Sequence, residues 1–298
     1  MADTLARARA AVSVPALRRP AAGEPLSAFT VDVEDWYQSC VDYDAPITER
    51  VVRNTDRILE LLDARGVKGT FFVQGRVAET FPAMVRGLVE QGHEVQSHGY
   101  SHRPLYAMNR AELHDELERS RKTVEDAAGT RVTAFRAQDF SILAGNLWAL
   151  DTLAEVGFEI DSSIFPMKSA RYGIAGWEVA PHHIETPSGA RILEVPVAIL
   201  TLRAWRLPVA GGGYFRVLPA PLLERALRAI TAHAPAVVYC HPYEFSSGEL
   251  GEYRGAVDPK LLLAQGIGRR SVTGRISALV ERLPFGRFDR VLSAWGVT

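Results

Sequence analysis

The chain has 298 residues, 47% hydrophobic and 23% charged, enough for one large domain or two small ones. A formal net charge of −1 argues against a surface built for nucleic acid or for anionic lipid. Two cysteines, Cys40 and Cys240, make neither a disulfide framework nor a Cys-x-x-Cys motif, and no window approaches the ~20 apolar residues of a membrane span.

Residues 1–26 carry Arg7, Arg9, Arg18 and Arg19 among alanines and prolines, without the apolar run of a signal peptide. They predict a flexible arm on a cytoplasmic protein, with residues 27–298 as a single domain. Strand and helix patterns then alternate. Residues 28–33 form a strand-like run that ends in acids. Residues 48–64 place Val51, Val52, Ile58, Leu59, Leu61 and Leu62 at helical spacing, with Gly66 beyond. A strand is predicted over 69–73, a helix over 77–91 stopped by Gly92, and a strand at Val95. A charged helix over 110–128 closes at Gly129. A strand over 132–135, a helix over 147–156 and a strand over 158–161 follow. After Ile164 prolines and glycines become frequent. Two β-like runs, 192–197 and 198–202, precede Gly211-Gly212-Gly213, a helix over 221–232 and a strand over 237–240. The tail, 257–298, mixes helical stretches with arginines. Such alternation indicates a parallel α/β sheet or barrel with a decorated C-terminal third, about 205–298.

Parallel α/β folds do their chemistry at the carboxyl ends of the strands. Asp32, Glu34, Asp35, His98, His102, Arg136, Asp161 and His241 all fall at such ends. His98 and His102 lie four apart, a spacing that predicts one shared face; two imidazoles and a carboxylate make a three-ligand metal centre. Asp32 and Glu34, two apart on a strand, point together, while Asp35 turns inward only if the strand ends at Val33. The bland alternative for these acids is a solvated loop capping the next helix. His241 suits a general acid and equally a core histidine bonded to a carbonyl. Arg136 suits a carboxylate clamp and equally a rim salt bridge. His182 and His183 read as surface; His93, His114 and His233 read as structural. Gly211–Gly213 has no phosphate-loop pattern and suits close backbone approach. No Gly-x-Ser-x-Gly nucleophile elbow occurs.

Between about Phe29 and Phe245 the chain resembles the polysaccharide deacetylases, the carbohydrate esterase family related to the rhizobial NodB chitooligosaccharide deacetylase. The resemblance rests on Thr30-Val31-Asp32-Val33-Glu34-Asp35, Gly69-Thr70-Phe71-Phe72-Val73, His93 to His98 with Ser101-His102, Phe135-Arg136-Ala137 and His241-Pro242. Asp161 to Pro166 and Gly211 to Arg216 further resemble the subgroup from bacterial exopolysaccharide gene clusters, which carries a C-terminal extension. The resemblance implies a distorted (β/α)-barrel of fewer than eight strands, one divalent metal (zinc first, with cobalt, manganese or nickel as alternatives) and hydrolysis of the N-acetyl group of an amino sugar. It implies Asp32 as general base, His98 and His102 as ligands, Arg136 as the orienter of the base and His241 as general acid. The Asp139 backbone N–H falls at the oxyanion position, with Gln138 and Tyr214 as further substrate contacts. The family's third ligand is an aspartate one or two residues beyond the base. Here those positions hold Val33 and Glu34, so Glu34 is preferred and Asp35 is the alternative. Asp161 is the expected partner of His241. Gln138-Asp139 stands where the family usually has Pro-Tyr or Pro-Ser, which leaves open a non-sugar or non-acetyl amide. A catalytically inactive glycan-binding relic is the third reading. Partners reduce to the amino-sugar substrate, with no nucleic acid and no membrane span.

Overall fold

The structure, a computed structural model, describes residues 12–169, 171–186, 188–203 and 205–298. In chain order it runs β1 (Val12–Ser13), β2 (Ser27–Val33), α1 (Trp36–Cys40), α2 (Arg50–Asp63), β3 (Thr70–Val73), α3 (Gly75–Thr80), α4 (Pro82–Glu90), β4 (Glu94–Ser97), α5 (Arg110–Ala128), β5 (Ala134–Phe135), α6 (Ala149–Val156) and β6 (Ile160–Asp161). Then come β7 (His182–Glu185), β8 (Arg191–Glu194), β9 (Ile199–Leu202), β10 (Trp205–Pro208), α7 (Gly213–Val217), α8 (Ala220–Ile230) and β11 (Ala236–Cys240). The chain finishes with α9 (Glu249–Glu252), α10 (Pro259–Gly266), α11 (Val272–Arg282), β12 (Phe285–Gly286) and α12 (Phe288–Ala294).

The strand order β8-β6-β5-β4-β3-β2-β11 is parallel throughout and makes a seven-stranded barrel wall. β7 and β1 extend it antiparallel beyond β8, β12 lies against β2, and β9 with β10 forms a separate hairpin. Among the described residues no strand joins β8 to β11. Irregular chain fills that gap: Ala198 N–H donates to Val237 O at 2.8 Å and Tyr239 N–H to Ala210 O at 2.8 Å. The expected distorted barrel of fewer than eight strands is therefore what forms. At the seam Gly211 is required, because a Cβ there would sit 1.7 Å from the Tyr239 carbonyl oxygen.

Every residue of β2 and of β3 is buried, as parallel strands covered on both faces demand. α2 turns Val51, Ile58, Leu59 and Leu62 inward. α5 begins with a capping box between Asn109 and Glu112 and ends at Gly129, whose φ is 70°. The last residues join the same core: Phe285 meets Phe29 edge-on at 5.9 Å and Phe288 meets Phe72 at 5.8 Å.

Three expectations need correction. The single helix over 77–91 is two, α3 and α4, broken at Phe81 (φ −129°, ψ 59°) because the residue before a proline is pushed out of helical conformation. The expected arm lies partly outside the described residues (1–11). Its described part is tied down, with β1 paired to β7 and the Arg18 side chain donating to Ala294 O at 2.9 Å. His182 is not a surface residue: it is buried in β7, its Nδ1–H donating to Ala180 O at 2.8 Å, and its ring packs 5.9 Å from Trp177.

Candidate active site

β2, β4, β5 and β11 deliver their carboxyl ends to one rim. β2 ends at Val33, and the next two acids separate. Asp35 caps α1: one oxygen accepts from Tyr37 N–H at 3.1 Å, the other from Thr48 N–H at 3.0 Å and from the Thr48 hydroxyl. Both oxygens are occupied, so Asp35 does not face the histidines as Glu34 does; it caps α1 and is buried, not part of a solvated loop at the helix that starts near Thr48. Glu34 turns inward. Its Oε2 lies 3.3 Å from His98 Nε2 and in closer contact with His102 Nε2.

For His98 the nature of that contact follows from the far side of the ring. His98 Nδ1 is 2.8 Å from Arg136 O, and a carbonyl only accepts, so the proton sits on Nδ1 and Nε2 offers a lone pair. Glu34 Oε2 is buried with no hydrogen-bond partner. Two imidazole nitrogens and a carboxylate oxygen, all buried and converging, are a donor set that fits a divalent cation. A proton can stand in for it. Burial disfavours charge on both residues, yet Glu34 holds the pKa of His102 above its usual value, and His102 with His98 holds that of Glu34 well below.

The histidines meet without a helix or a strand. Residues 98–104 form an irregular turn in which Gly99 and His102 both have φ of 69°. A Cβ on Gly99 would lie 2.2 Å from Gln138 Nε2. Gly99→Ala is therefore expected to displace His98 and His102, to cost about 1–2 kcal/mol for the left-handed conformation alone, and to weaken zinc uptake about tenfold or more. Gly145→Ala, with nothing near its Cβ, is the neutral comparison. Equal zinc titration curves for the two variants would contradict this account.

Asp32 lies beside this cluster, 2% exposed. The buried Arg136 guanidinium donates to Asp32 Oδ1 at 2.8 Å, to Thr30 Oγ1 at 2.7 Å and to Ser162 Oγ at 3.1 Å, and lies 4.2 Å from the centre of the Phe72 ring. Arg136 is thus a buried clamp and not a rim salt bridge.

His241 Nε2 faces Glu34 Oε1 at 3.9 Å, and its ring stacks on Tyr243 at 4.9 Å. The carboxylate on its other nitrogen is Glu244: Oε2 accepts the His241 backbone N–H at 3.0 Å and lies 3.3 Å from Nδ1. Burial lowers the imidazole pKa, but the Glu244 hydrogen bond and the charges of Glu34, Glu244 and Asp32 outweigh it and push the value up to about 9. Asp161 was the expected partner and is not. Glu244 sits three residues after the histidine, with Pro242 opening the turn, a capping pattern that was available in the sequence.

Asp161 has another partner. It hydrogen-bonds Ser163 Oγ and pairs with the carboxyl of Glu194, both acids fully buried, while Ser163 Oγ accepts Ala137 N–H at 2.8 Å. Burial pushes Asp161 up to about 6; burial and the adjacent Asp161 push Glu194 well above the carboxylate range. Folded pKa values above the unfolded ones mean stability that is whole below the unfolded pKa, about 4, and lost as pH rises through about 6 and beyond. Glu194→Gln is expected to flatten the fall in melting temperature between about pH 4 and pH 7 relative to wild type. Parallel melting curves for the two proteins would rule the shared proton out.

A cavity of about 240 Å³ opens over these groups, lined by Asp32, Glu34, His98, His102, Asp139 and His241 among others. Asp139 has φ of 54° in the short turn Gln138–Phe140, and its side chain pairs with Arg171 at 2.9 Å. That turn sends Gln138 the other way, fully buried behind the Gly99 backbone, so Gln138 is not a wall of the cavity. Tyr214 does not line it either; Gly212, Gly213 and Arg216 do, because α7 starts at Gly213 and rotates the tyrosine aside. Arg171 and Tyr172 line it from a loop that carried no recognisable signal.

Two family models match the chain: polysaccharide deacetylase over residues 38–144, and a domain of unknown function, DUF3473, over residues 162–293. The first span holds His98, His102, Arg136 and Asp139; Asp32, Glu34 and His241 lie outside it. A peptidoglycan deacetylase from Helicobacter pylori is 31% identical over 153 residues, 48% of this chain and 50% of that protein. The chain spans about half the length of the curated relatives it matches. Among solved structures, a putative polysaccharide deacetylase from Mycobacterium smegmatis is 21% identical with a TM-score of 0.58, covering 92% of both chains. The PuuE allantoinase is 16% identical with a TM-score of 0.61, covering 96% of this chain and 95% of that one. Both share the fold over nearly the whole length, the C-terminal third included. The chain thus carries a region that matches the polysaccharide deacetylase family over residues 38–144, followed by a DUF3473 segment over residues 162–293.

Proposed function

We propose that the protein is a metal-dependent hydrolase that removes the N-acetyl group of an amino sugar. The observation that carries the reading is the convergence of Glu34, His98 and His102 beside a clamped carboxylate, Asp32, and a carboxylate-backed imidazole, His241. Glu34, His98 and His102 would hold a divalent cation, zinc in this reading, which would supply Lewis-acid polarisation of the acyl group. Asp32 accepts the proton of the attacking water, held in orientation by Arg136. The Asp139 backbone N–H supports the oxygen on which charge develops. His241, charged and oriented by Glu244, gives its proton to the departing amine. The products are acetate and the free amino sugar. The printed name of the H. pylori relative points to the same substrate class.

A second reading, the same chemistry on a non-sugar amide, is favoured by the charged Asp139–Arg171 pair beside the acyl position. Acetate release decides between them. Oligomeric and UDP-linked N-acetylglucosamine should yield acetate. Dialysis against a chelator should reduce the rate to background, and zinc should restore it. Acetate from non-sugar acetamides alone would select the second reading; a rate indifferent to chelation, with less than stoichiometric metal, would refute both.

A further inference from the structure

Beside the catalytic cavity lies a second and larger one, about 680 Å³, and the two share Arg171 and Tyr172 as a common wall. The smaller cavity, about 240 Å³, falls below the ~300–1,000 Å³ of ordinary ligand pockets and houses little more than one sugar. The larger is apolar and aromatic in character. Tyr106 is 50% exposed, and Trp148 and Tyr172 are half-buried. Aromatic faces of this kind pack against the C–H faces of pyranose rings. Its charge is one-sided. Lys168 and Arg171 line it, and no Asp or Glu does so among the described residues. Arg171 reaches Asp139 across the shared wall, while Lys168 has no ion-pair partner among the described residues. The catalytic cavity, by contrast, mixes Asp32, Glu34, Asp139 and Glu244 with Arg171, Arg216 and His241. Among the described residues the second cavity has a charged lining that is cationic alone.

We propose that the second cavity is a binding subsite for a carboxylate-bearing sugar joined to the amino sugar being deacetylated, so that the substrate is an acidic glycan. The inference rests on the deacetylase reading for the identity of the neighbouring sugar. The two cavities adjoin at Arg171 and Tyr172, which places the acidic ring next to the sugar that bears the acetamido group. Lys168 and Arg171 supply the counter-charge, and Trp148 and Tyr106 supply the stacking faces.

The test is calorimetric titration in the full chain carrying Asp32→Asn, so that nothing is turned over. The probes are a tetrasaccharide alternating N-acetylglucosamine with glucuronic acid, and uncharged tetra-N-acetylchitotetraose. The acidic probe should bind about tenfold tighter at low salt, with the advantage shrinking toward ~0.3 M salt as exposed charges are screened. Lys168→Glu should erase the preference through the acidic probe alone, and Trp148→Ala should weaken both probes. Equal affinities without Lys168→Glu, or a preference that survives it, would overturn the subsite. Acetate release by the wild-type chain is followed separately. Its absence alongside an intact binding preference would remove the deacetylase reading and leave the acidic-glycan site standing.

Discussion

Asp32→Asn should lower the turnover number for acetate release by about 10²–10⁴, the usual share of a positioned general base, with KM little changed. The substitution keeps the shape of the side chain and removes its capacity to take a proton. It also leaves Arg136 buried without its anion, although Thr30, Ser162 and the Phe72 ring still surround the guanidinium. A stability loss of about 2 kcal/mol is the expected cost of one charged hydrogen bond, so the variant should melt earlier yet cooperatively. Metal content should stay at the wild-type level, because Asp32 is not in the Glu34–His98–His102 cluster. Retention of more than about a tenth of the wild-type rate would assign the base elsewhere.

Arg136→Met should have the larger effect on the fold. Methionine keeps an unbranched apolar stem, ends short of the guanidinium nitrogens and supplies none of the three polar contacts. Asp32 would then be buried without a cation, and breaking a buried pair in this way costs about 3–5 kcal/mol. The carboxyl would respond by holding its proton, which disables it as a base at neutral pH. Activity should therefore fall together with stability, and Arg136→Lys should rescue little, since one ammonium cannot span Thr30, Asp32 and Ser162. The double variant Asp32→Asn/Arg136→Met separates pairing from packing. It should be more stable than the sum of the single losses by over about 1 kcal/mol in denaturant unfolding, because the second change removes the orphan left by the first. Additivity within about 0.5 kcal/mol would mean that the pair is not coupled.

The elements that local rules describe well were legible. α5 was placed over 110–128 with its stop at Gly129, α2 showed its apolar face, and both α2 and α8 were placed to within two residues of their ends. The buried runs of β2, β3 and β11 stood out because strands covered on both faces are continuously apolar. β5 and β6, two residues each, fall at the ends of the runs 132–135 and 158–161 that read as strands, whereas β7 was missed: it is polar in sequence because its burial comes from Trp177 and the sheet edge.

Within the site, residue chemistry and chain position were enough to single out Asp32, Glu34, His98, His102, Arg136 and His241, since each follows an apolar run and a strand end is where a barrel gathers its polar groups. His98 and His102 converge, but by a geometry other than the one their spacing predicts. Helical or extended spacing does not bring them together; a left-handed turn at Gly99 and His102 does, and that turn depends on Gln138 packing behind it.

Taken alone, then, the order of amino acids determined the α/β alternation and the set of ionisable groups at the rim, because both follow from local pattern. Which carboxylate serves which imidazole was decided only in three dimensions. Glu34 and Asp35 differ by one bond rotation of the chain, and Thr48 captures one of them. Asp161 and Glu244 are both plausible on paper, and Glu194 takes the first while the Pro242 turn holds the second against His241. Contacts of this kind join residues distant in the chain, and the free energy that selects among them belongs to the packed interior.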